Sequence, residues 1–458
     1  MWRKIVIPIA LAAFLAYCVM PTAKIKPASS ETIYIRADGR IDPSDAPITT
    51  SDNITYTLVS DVYDSIVVER SNITIDGAGY TVKGSRSGNG FFLYNVCNVT
   101  IRNTNIENFY IGVYLNSTSH VVITENNITN NWDSGVRVYS SSNNTISKNQ
   151  LTNNFYAVYV KYYSAFNTIY SNLIANNHDG ILIEASFRNV ISENKVMNNT
   201  RRGIIILHSY YNVLSRNEIF NDTDYGVRLY QASNNIIWGN NVTQNLNGVW
   251  LAWASNNTMY HNNFVDNVEN VHIEVSGYNN TWDAGSFAGG NYWSDYKGMD
   301  QNRDGIGDIP YEIDGNNIDY NPLIARIYIF EADIHNGTTR YINVVSNSTI
   351  SNFYIDEAKR RVSFNVTGWE GFGFCRVSIP NFLVEELWQN NYLVLLNGEP
   401  LPYRNWTDGE NTYLYFTYEH STHEVMIIPE TSFAAFWSAA VLSMLIVVIC
   451  SKRKRFDA

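Results

Sequence analysis

The chain has 458 residues, of which 45% are hydrophobic, 14% aromatic and 16% charged, and its formal net charge at pH 7 is −11. This much apolar material excludes a disordered chain, and the length predicts two or three domains. The negative charge argues against a nucleic-acid partner, because phosphate binding needs a basic surface.

The first 28 residues are typical of a secretory signal peptide. Arg3 and Lys4 form a basic start, an apolar run extends to Met20, and small residues lie near Ala23. An uncleaved N-terminal anchor is the alternative interpretation. Fifteen Asn-x-Ser/Thr sequons agree with an exported glycoprotein, although asparagine-rich sequence also creates sequons by chance.

Residues 90–289 contain a repeat of 22 or 23 residues. A glycine-hydrophobic phrase recurs in it, for example as "GVYL" at 112, "GVRV" at 135 and "GILI" at 180. An asparagine recurs in the same register, with an aliphatic residue three positions before it and another two positions after it. These asparagines are Asn126, Asn149, Asn172, Asn194, Asn217, Asn240 and Asn262, and Thr104 holds the place in the preceding repeat.

Short runs of alternating β-branched residues, broken by Asn and Gly, predict strands, and no repeat resembles an amphipathic helix. The pattern therefore predicts an all-β, right-handed parallel β-helix with one coil per repeat and about 4.8 Å between coils. Its aliphatic side chains would point inward. The asparagines would stack at a turn, where left-handed backbone costs them little and each amide donates to the next. A leucine-rich repeat is the alternative, but it needs a different leucine spacing and a helical back.

The segments beside the repeats are predicted to cover the open ends of the β-helix. Residues 29–89 read as an N-terminal cap with irregular first coils, and residues 290–323 as a C-terminal cap with an Asp/Asn-Gly loop. Residues 324–430 contain seven alternating strand patterns, which predict an immunoglobulin-like β-sandwich. Cys97 and Cys375 lie far apart in the sequence, so no disulfide is claimed.

The loop "DQNRDGIGD" in the second cap has the spacing of the first part of a calcium loop. Its ligands would be the side chains of Asp300, Asn302, Asp304 and Asp308 and the carbonyl of Ile306. Tyr311 replaces the glutamate expected at the twelfth position, so an Asx-rich turn is the alternative. We predict a structural, weakly bound Ca²⁺ and no organic cofactor.

The C-terminal end predicts a membrane anchor. Residues 431–451 form an uncharged apolar run that is long enough to cross a bilayer. The basic tail, residues 452–458, would stay in the cytoplasm and leave the body of the protein outside the cell.

The "NNTISxNxLTNN" repeats and the closing segment "GNYWSDYKGMDQNRDGIGDIPYEIDGNNIDYNPL" resemble the NosD-like, CASH-type right-handed β-helix proteins with PbH1 repeats, which are common on archaeal surfaces. The resemblance covers about residues 31–323, and residues 324–430 are similar to the small β domain that often follows such repeats. The C-terminus is similar to archaeal sorting signals, with Thr431 in place of their phenylalanine. Copper delivery, which the NosD name implies, would need clustered His, Met or Cys, whereas the eight histidines are scattered.

Alternation along the glycine strand places two columns of side chains on the outside. The first column is Tyr114, Arg137, Tyr159, Leu182, Ile205, Arg228, Trp250 and His272. The second column is Asn116, Tyr139, Lys161, Glu184, Leu207, Tyr230, Ala252 and Glu274.

Aromatic rings with charges between them suit sugar rings, because the rings stack on sugar C–H faces and the charged groups bind hydroxyls. The alternative is that the aromatic pairs only stabilise an exposed sheet. The candidate ligand-binding residues are Tyr114, Arg137, Tyr139, Tyr159, Lys161, Glu184, Arg228, Tyr230 and Trp250.

Charged residues precede successive glycine strands and could line one edge of this face: Asp133, His178, Asp179, Arg201, Arg202 and Asp224. Asp179, Glu184 and Arg202 are weak candidates for catalysis, although no catalytic motif of a known β-helix enzyme can be matched. The sequence therefore predicts a membrane-anchored cell-surface protein that binds a polysaccharide. The alternative is an extracellular polysaccharide lyase, hydrolase or epimerase acting on the same face.

Overall fold

The computed structural model describes residues 32–275, 277–335 and 338–430. The predicted signal peptide, transmembrane helix and basic tail fall outside these ranges. Within them, no helix is both long and apolar enough to span a bilayer.

A parallel β-solenoid of about ten coils occupies the first two thirds of the chain, which confirms the predicted all-β parallel coil. Its strands are numbered in chain order and form three sheets. Sheet 1 contains β1 (Ile33–Ile35), β2 (Ile41–Asp42), β5 (Ile66–Val68), β8 (Asn89–Tyr94), β11 (Ile111–Asn116), β14 (Ser134–Tyr139), β17 (Tyr156–Lys161), β20 (Asp179–Glu184), β23 (Arg202–Leu207), β26 (Tyr225–Tyr230), β29 (Asn247–Ala252) and β32 (Glu269–Val275).

Sheet 2 contains β3 (Ile48–Thr49), β4 (Thr55–Leu58), β6 (Ile73–Asp76), β9 (Val99–Arg102), β12 (Val122–Thr124), β15 (Thr145–Ser147), β18 (Thr168–Tyr170), β21 (Val190–Ser192), β24 (Val213–Ser215), β27 (Ile236–Trp238) and β30 (Thr258–Tyr260). Sheet 3 contains β7 (Thr81–Lys83), β10 (Asn105–Glu107), β13 (Asn127–Thr129), β16 (Gln150–Thr152), β19 (Leu173–Ala175), β22 (Lys195–Met197), β25 (Glu218–Phe220), β28 (Asn241–Thr243), β31 (Asn263–Val265) and β33 (Tyr292–Trp293).

The solenoid core consists of aliphatic columns that run along the axis, one residue per coil. In sheet 3, for example, Ile128 pairs with Leu151, and Leu151 pairs with Ile174, and all three are 0% exposed. Full burial of such a side chain contributes about 1.5–3 kcal/mol. The 22- or 23-residue spacing therefore keeps every coil in register with its neighbours.

The predicted asparagine ladder is present at the turn from sheet 2 to sheet 3. Asn149 is typical: its backbone N–H and its Nδ2 both donate to Asn172 Oδ1 at 3.0 Å, and its Nδ2 also donates to the carbonyl of Ile123 at 2.8 Å. The ladder continues through Asn262 to Asn291 and ends on Asp319. These bonds satisfy amides that are almost fully buried.

Two further asparagine ladders exist that the sequence analysis did not predict. The turn from sheet 3 to sheet 1 holds Asn131, Asn154, Asn177, Asn199, Asp222, Asn245 and Asn267. The turn from sheet 1 to sheet 2 holds Asn144, Asn167, Asn189, Asn212, Asn235, Asn257 and Asn280. Each corner of the coil is therefore fixed by its own column of amides.

The left-handed backbone lies one residue before the ladder asparagine, which corrects the expectation that the stacked asparagine itself adopts it. Asn153, at φ 57°, precedes Asn154, and Asn143, at φ 58°, precedes Asn144. The first residue makes the turn, and the second can then direct its amide into the ladder. These two roles, a turn residue followed by a ladder residue, explain the recurring Asn-Asn pairs.

The C-terminal end of the solenoid is closed by aromatic side chains. Trp293 stacks on Phe264 of the last full coil and on Tyr311, with both ring centroids at 4.5 Å. Tyr311 belongs to a short hairpin of β34 (Tyr311–Asp314) and β35 (Asn317–Asp319). These rings cover apolar side chains that an open end would expose.

The remainder of the described chain forms two five-stranded antiparallel sheets around a shared apolar core. Sheet 4 contains β36 (Arg326–His335), β37 (Thr338–Ser346), β40 (Phe372–Pro380), β43 (Arg404–Thr407) and β44 (Asn411–Glu419). Sheet 5 contains β38 (Thr349–Asp356), β39 (Arg361–Thr367), β41 (Tyr392–Leu396), β42 (Glu399–Pro400) and β45 (Thr422–Pro429).

This C-terminal unit has more elements than the seven predicted strands. It has ten strands and a helix, α1 (Asn381–Trp388), whose buried residues Leu383, Val384 and Leu387 follow helical spacing. The unit packs against sheet 3 of the solenoid, where Asn263 exchanges hydrogen bonds of 2.8 and 2.9 Å with the backbone of Ile327.

Candidate functional site

The outward face of sheet 1 holds the predicted binding columns, and strand pairing confirms their alignment. Tyr114 pairs with Arg137, Arg137 with Tyr159, and the series continues through Arg228, Trp250 and His272. The second column is in register as far as Ala252. There a bulge pairs Ala252 with Val275, so the predicted place of Glu274 in that column is wrong.

The middle of this face is an apolar cluster rather than a row of open rings. Tyr159, Leu182 and Ile205 are 9%, 6% and 2% exposed and pack together, and Trp250 is 4% exposed. Large side chains on neighbouring parallel strands cover one another at this spacing. Tyr159 and Trp250 therefore have little free ring surface, and their role as sugar contacts stays a prediction.

Charged side chains surround that cluster. The guanidinium of Arg137 is ion-paired with Asp133 and lies 5.2 Å from the Tyr159 ring centroid. Lys161 approaches the same ring at 4.9 Å, and the Tyr159 hydroxyl donates to Glu184. Burial, reinforced by the Glu184 carboxylate, raises the pKa of Tyr159. The Tyr159 hydroxyl therefore stays protonated in neutral solution and acts as a donor.

The three weak catalytic candidates separate into two places. Asp179 lies 3.9 Å from Arg202 and 3.3 Å from His178, whereas Glu184 is at the opposite end of β20. Five residues of strand span about 16 Å, which is more than the roughly 5–10 Å between the two carboxylates of a glycosidase. Asp179 and Glu184 therefore cannot form such a pair.

Asp179 is almost fully buried at the edge of the face, and its Oδ1 has no hydrogen-bond partner. Burial raises the pKa of its carboxyl group, and Arg202 and His178 oppose that rise. A buried acid beside an arginine is chemically suited to bind or to polarise an acidic or hydroxyl group of a ligand.

Arg228 occupies the other half of the face. Its guanidinium lies 4.5 Å from the Trp250 ring centroid and 5.3 Å from that of Tyr230. Burial, followed by repulsion from Arg202 and Arg201, lowers the pKa of Arg228. This part of the face is therefore a positively charged region on a protein whose net charge is negative.

Exposed aromatic rings lie beside the predicted columns, at the turn from sheet 1 to sheet 2. We call this set the aromatic edge; it comprises Tyr162, Tyr163, Phe166, Tyr210, Tyr211 and Trp253, each between 41% and 67% exposed. Tyr162 stacks on Tyr139 at 4.9 Å, so the edge is continuous with the second column. The sequence contained a signal for the aromatic edge in "YYSAF" and "HSYY". These segments have aromatic residues at turn positions, where the turn geometry does not require them.

The Asp-rich loop of the C-terminal cap is held largely by its own hydrogen bonds. The two carboxylate oxygens of Asp300 accept the N–H groups of Asp304 and Gly305, and Asp308 accepts the N–H of Gln301. Arg404 donates to the carbonyls of Asn302 and Arg303 from the neighbouring sheet. Ca²⁺ binding to the predicted ligands therefore stays a prediction.

Across the described ranges, no group of three or more His, Cys, Asp or Glu side chains is placed to hold a metal ion. This finding includes Asp300, Asp304 and Asp308, whose carboxylates do not converge. Cys97 and Cys375 are free thiols, and burial raises the pKa of Cys375 to about 11.

The coil and its outward face define the class of protein: a β-helix protein with an ordered, aromatic and arginine-bearing surface. Residues 156–298 match the family model described as "Periplasmic copper-binding protein (NosD)", and residues 48–178 match the one described as "Right handed beta helix region". Together with the coil geometry, these matches support a NosD-like parallel β-helix protein with PbH1-type repeats. A comparison with curated proteins gives no match.

Several solved structures share the coil. The A-module of the mannuronan C-5 epimerase AlgE6 from Azotobacter vinelandii is 16% identical, with a TM-score of 0.42, over 56% of this chain and 90% of that one. The periplasmic alginate epimerase AlgG is 17% identical, with a TM-score of 0.34, over 50% and 68% of the two chains. The Dettilon tailspike protein is 14% identical, with a TM-score of 0.33, over 80% and 87%. These likenesses concern the fold, and the proposal below rests on residues of this chain.

Proposed function

We propose that this protein is an extracellular, membrane-anchored solenoid that binds a polysaccharide chain along the outward face of sheet 1 and its aromatic edge. The observation that carries the proposal is the group of aromatic and cationic side chains on this face, which the apolar Leu182 and Ile205 divide into two parts and which adjoins the exposed rings of the aromatic edge. A surface that repeats at the strand spacing suits a polymer better than a single sugar. The family description also agrees with a location outside the cytoplasm.

The aromatic edge supplies what the two predicted columns do not. Tyr163 is 67% exposed and Tyr211 is 52% exposed, so both offer ring surface to a ligand. The half-buried Tyr139 and Tyr230 connect these rings to the charged part of the face. Apolar sugar faces would contact the edge, and hydroxyl groups would reach Lys161 and Glu184.

Binding without turnover is favoured over hydrolysis because Asp179 and Glu184 are too far apart to act as a pair. A lyase or epimerase is the second candidate, and the buried contact between Asp179 and Arg202 favours it. Such an enzyme would need a base and a cation near an acidic sugar, and this contact provides one of each.

The full-length protein should be incubated with immobilised acidic and neutral polysaccharides while retention and new chain ends are measured. We expect retention without new ends, and at least a tenfold loss of affinity in a Tyr163→Ala, Tyr211→Ala double variant. The matched control is Tyr320→Ala, since Tyr320 is 62% exposed but lies in the C-terminal cap.

Each outcome of that experiment decides between the candidates. No retention of any glycan would overturn the proposal. New unsaturated ends, or a change in the sugar composition of the polymer, would establish the lyase or epimerase instead. New reducing ends without unsaturation would establish hydrolysis.

A further inference from the structure

Three arginines on the outward face of sheet 1 share a feature with Arg340, Arg361 and Arg376 of the C-terminal unit. Arg137, Arg202 and Arg228 each have a buried Nε without a hydrogen-bond partner. A buried donor without a partner costs roughly 1–3 kcal/mol, and more on a charged group. The arginines of the outward face differ from the others in lying on the proposed binding surface, so their charge balance decides whether they can bind a ligand.

The charges around these arginines do not balance. Arg137 is ion-paired with Asp133, and Arg201 is paired with Asp224 at 3.2 Å. Asp179 is shared between Arg202 and His178. Arg228 has no ion pair with any described residue.

The neighbours of Arg228 hold its unpaired positive charge at a defined position. Its guanidinium lies against the rings of Trp250 and Tyr230, which hold it in place without neutralising it. Arg202 is on the adjacent strand, β23, where Ile205 pairs with Arg228. A planar acid group between the two guanidinium groups would accept hydrogen bonds from their terminal N–H groups and balance the charge of Arg228.

We propose that Arg202 and Arg228 bind the acid group of an anionic polysaccharide, either the carboxylate of a uronic acid or a sulfate ester. This inference rests on the proposed function and adds the class of glycan. Neutral sugars would still contact the aromatic edge, whereas only an acidic sugar would satisfy the two arginines. The edge would therefore provide contact with the chain, and the arginines would provide selection for its charge.

Affinity electrophoresis of the full-length protein through gels containing polygalacturonate, dextran sulfate or neutral dextran tests the proposal. We expect at least tenfold tighter binding to an acidic polymer than to neutral dextran, with binding that weakens as salt rises. Arg228→Gln should lower affinity for the acidic polymer at least tenfold and affinity for the neutral polymer much less, so that the preference for the acidic polymer is lost. The charge-matched control is Lys195→Gln, an exposed position on sheet 3, which should change neither.

Arg228→Lys covers the case in which Arg228→Gln does not fold. Lysine keeps the charge but loses the planar donor pair, so an intermediate loss of affinity is expected. Tighter binding to polygalacturonate than to dextran sulfate would assign the acid group as a carboxylate, and the reverse order would assign a sulfate. Equal binding of acidic and neutral polymers would overturn this inference but leave the proposed function standing, whereas no binding to any polymer would overturn both.

Discussion

At the scale of single residues, the amide ladders tolerate few substitutions, because each member must both donate and accept. Asp222 occupies a ladder position where the other coils have asparagine. Its Oδ1 accepts two bonds from Asn199, but its Oδ2 has no partner. Asp319, in contrast, ends a ladder and only has to accept, which a carboxylate does well. The hydrogen bonds of Asp319 are therefore complete and those of Asp222 are not, although burial raises the pKa of both carboxyl groups to about 7.

Asp222→Asn should stabilise the protein above neutral pH. Burial raises the pKa of Asp222 to about 7, so the folded chain holds this proton more tightly than the unfolded chain. The stability that this proton gives to the folded wild-type protein is present in acid. It is lost as the pH rises towards 7, by about 1.4 kcal/mol per pH unit. Urea unfolding should show a higher midpoint for the variant at pH 8 and little difference from wild type at pH 4.

The control for this prediction is Asp224→Asn. Asp224 lies two residues away but outside the ladder, in an ion pair with Arg201. Its substitution should not reproduce the gain in stability at high pH. An equal gain in both variants would show that net charge, rather than the ladder, is responsible.

At the scale of structural elements, the C-terminal cap connects the solenoid to the antiparallel sheets. Arg376 of β40 is almost fully buried, donates to the carbonyls of Phe287 and Ala288, and stacks on Tyr413 at 4.6 Å. Burial lowers the pKa of Arg376, and the carboxylates of Asp304 and Asp300 in the Asp-rich loop, together with Asp408, oppose that shift. Protein cations already supply part of the charge that Ca²⁺ would bring.

Ca²⁺ should nevertheless raise the stability of the cap if the predicted ligands bind it. With a dissociation constant near 1 mM, about 10 mM Ca²⁺ would add about 1.4 kcal/mol. We expect a higher thermal midpoint with Ca²⁺ than with the same concentration of Mg²⁺, and no Ca²⁺ response in Asp300→Asn. Identical midpoints in Ca²⁺ and Mg²⁺ for the wild type would contradict this prediction, and the loop would then be held by its own hydrogen bonds, Arg376 and Arg404.

At the scale of the whole molecule, the solenoid is a stack in which each coil contacts mainly its two neighbours. Stability in such a stack is approximately a sum over coils and their interfaces. The number of coils is therefore free to vary, provided that the three ladders and the aliphatic columns stay in register.

Removal of residues 168–189, one complete coil, should leave a folded protein. Asn167 would then stack on Asn212, and the other two ladders would rejoin in the same way. Circular dichroism should retain its β signal, with a small decrease in thermal midpoint. Removal of residues 168–178 alone would break all three columns, and a fold that survived this shorter deletion equally well would contradict the stacked arrangement.

The sequence by itself determined the coil, because its aliphatic and asparagine positions repeat every 22 or 23 residues. Stacked strands of equal length bring such positions into columns. The sequence also determined the alignment of the outward residues as far as Ala252, where a bulge shifts the register, since alternation along a strand fixes which side chains share a face. Two of the three ladders were not predicted, although their Asn-Asn pairs recur at the same spacing, because asparagine at a turn is equally typical of an ordinary loop.

Only the tertiary structure decided which outward residues are accessible. Tyr159 and Trp250 lie in the predicted column, yet neighbouring strands bury them, whereas Tyr163 and Tyr211 protrude from a turn. Burial and unpaired charge depend on contacts between coils that are more than 20 residues apart in the chain. The sequence of one coil determines which of its side chains point outward. The neighbouring coils determine which of those side chains a ligand can contact.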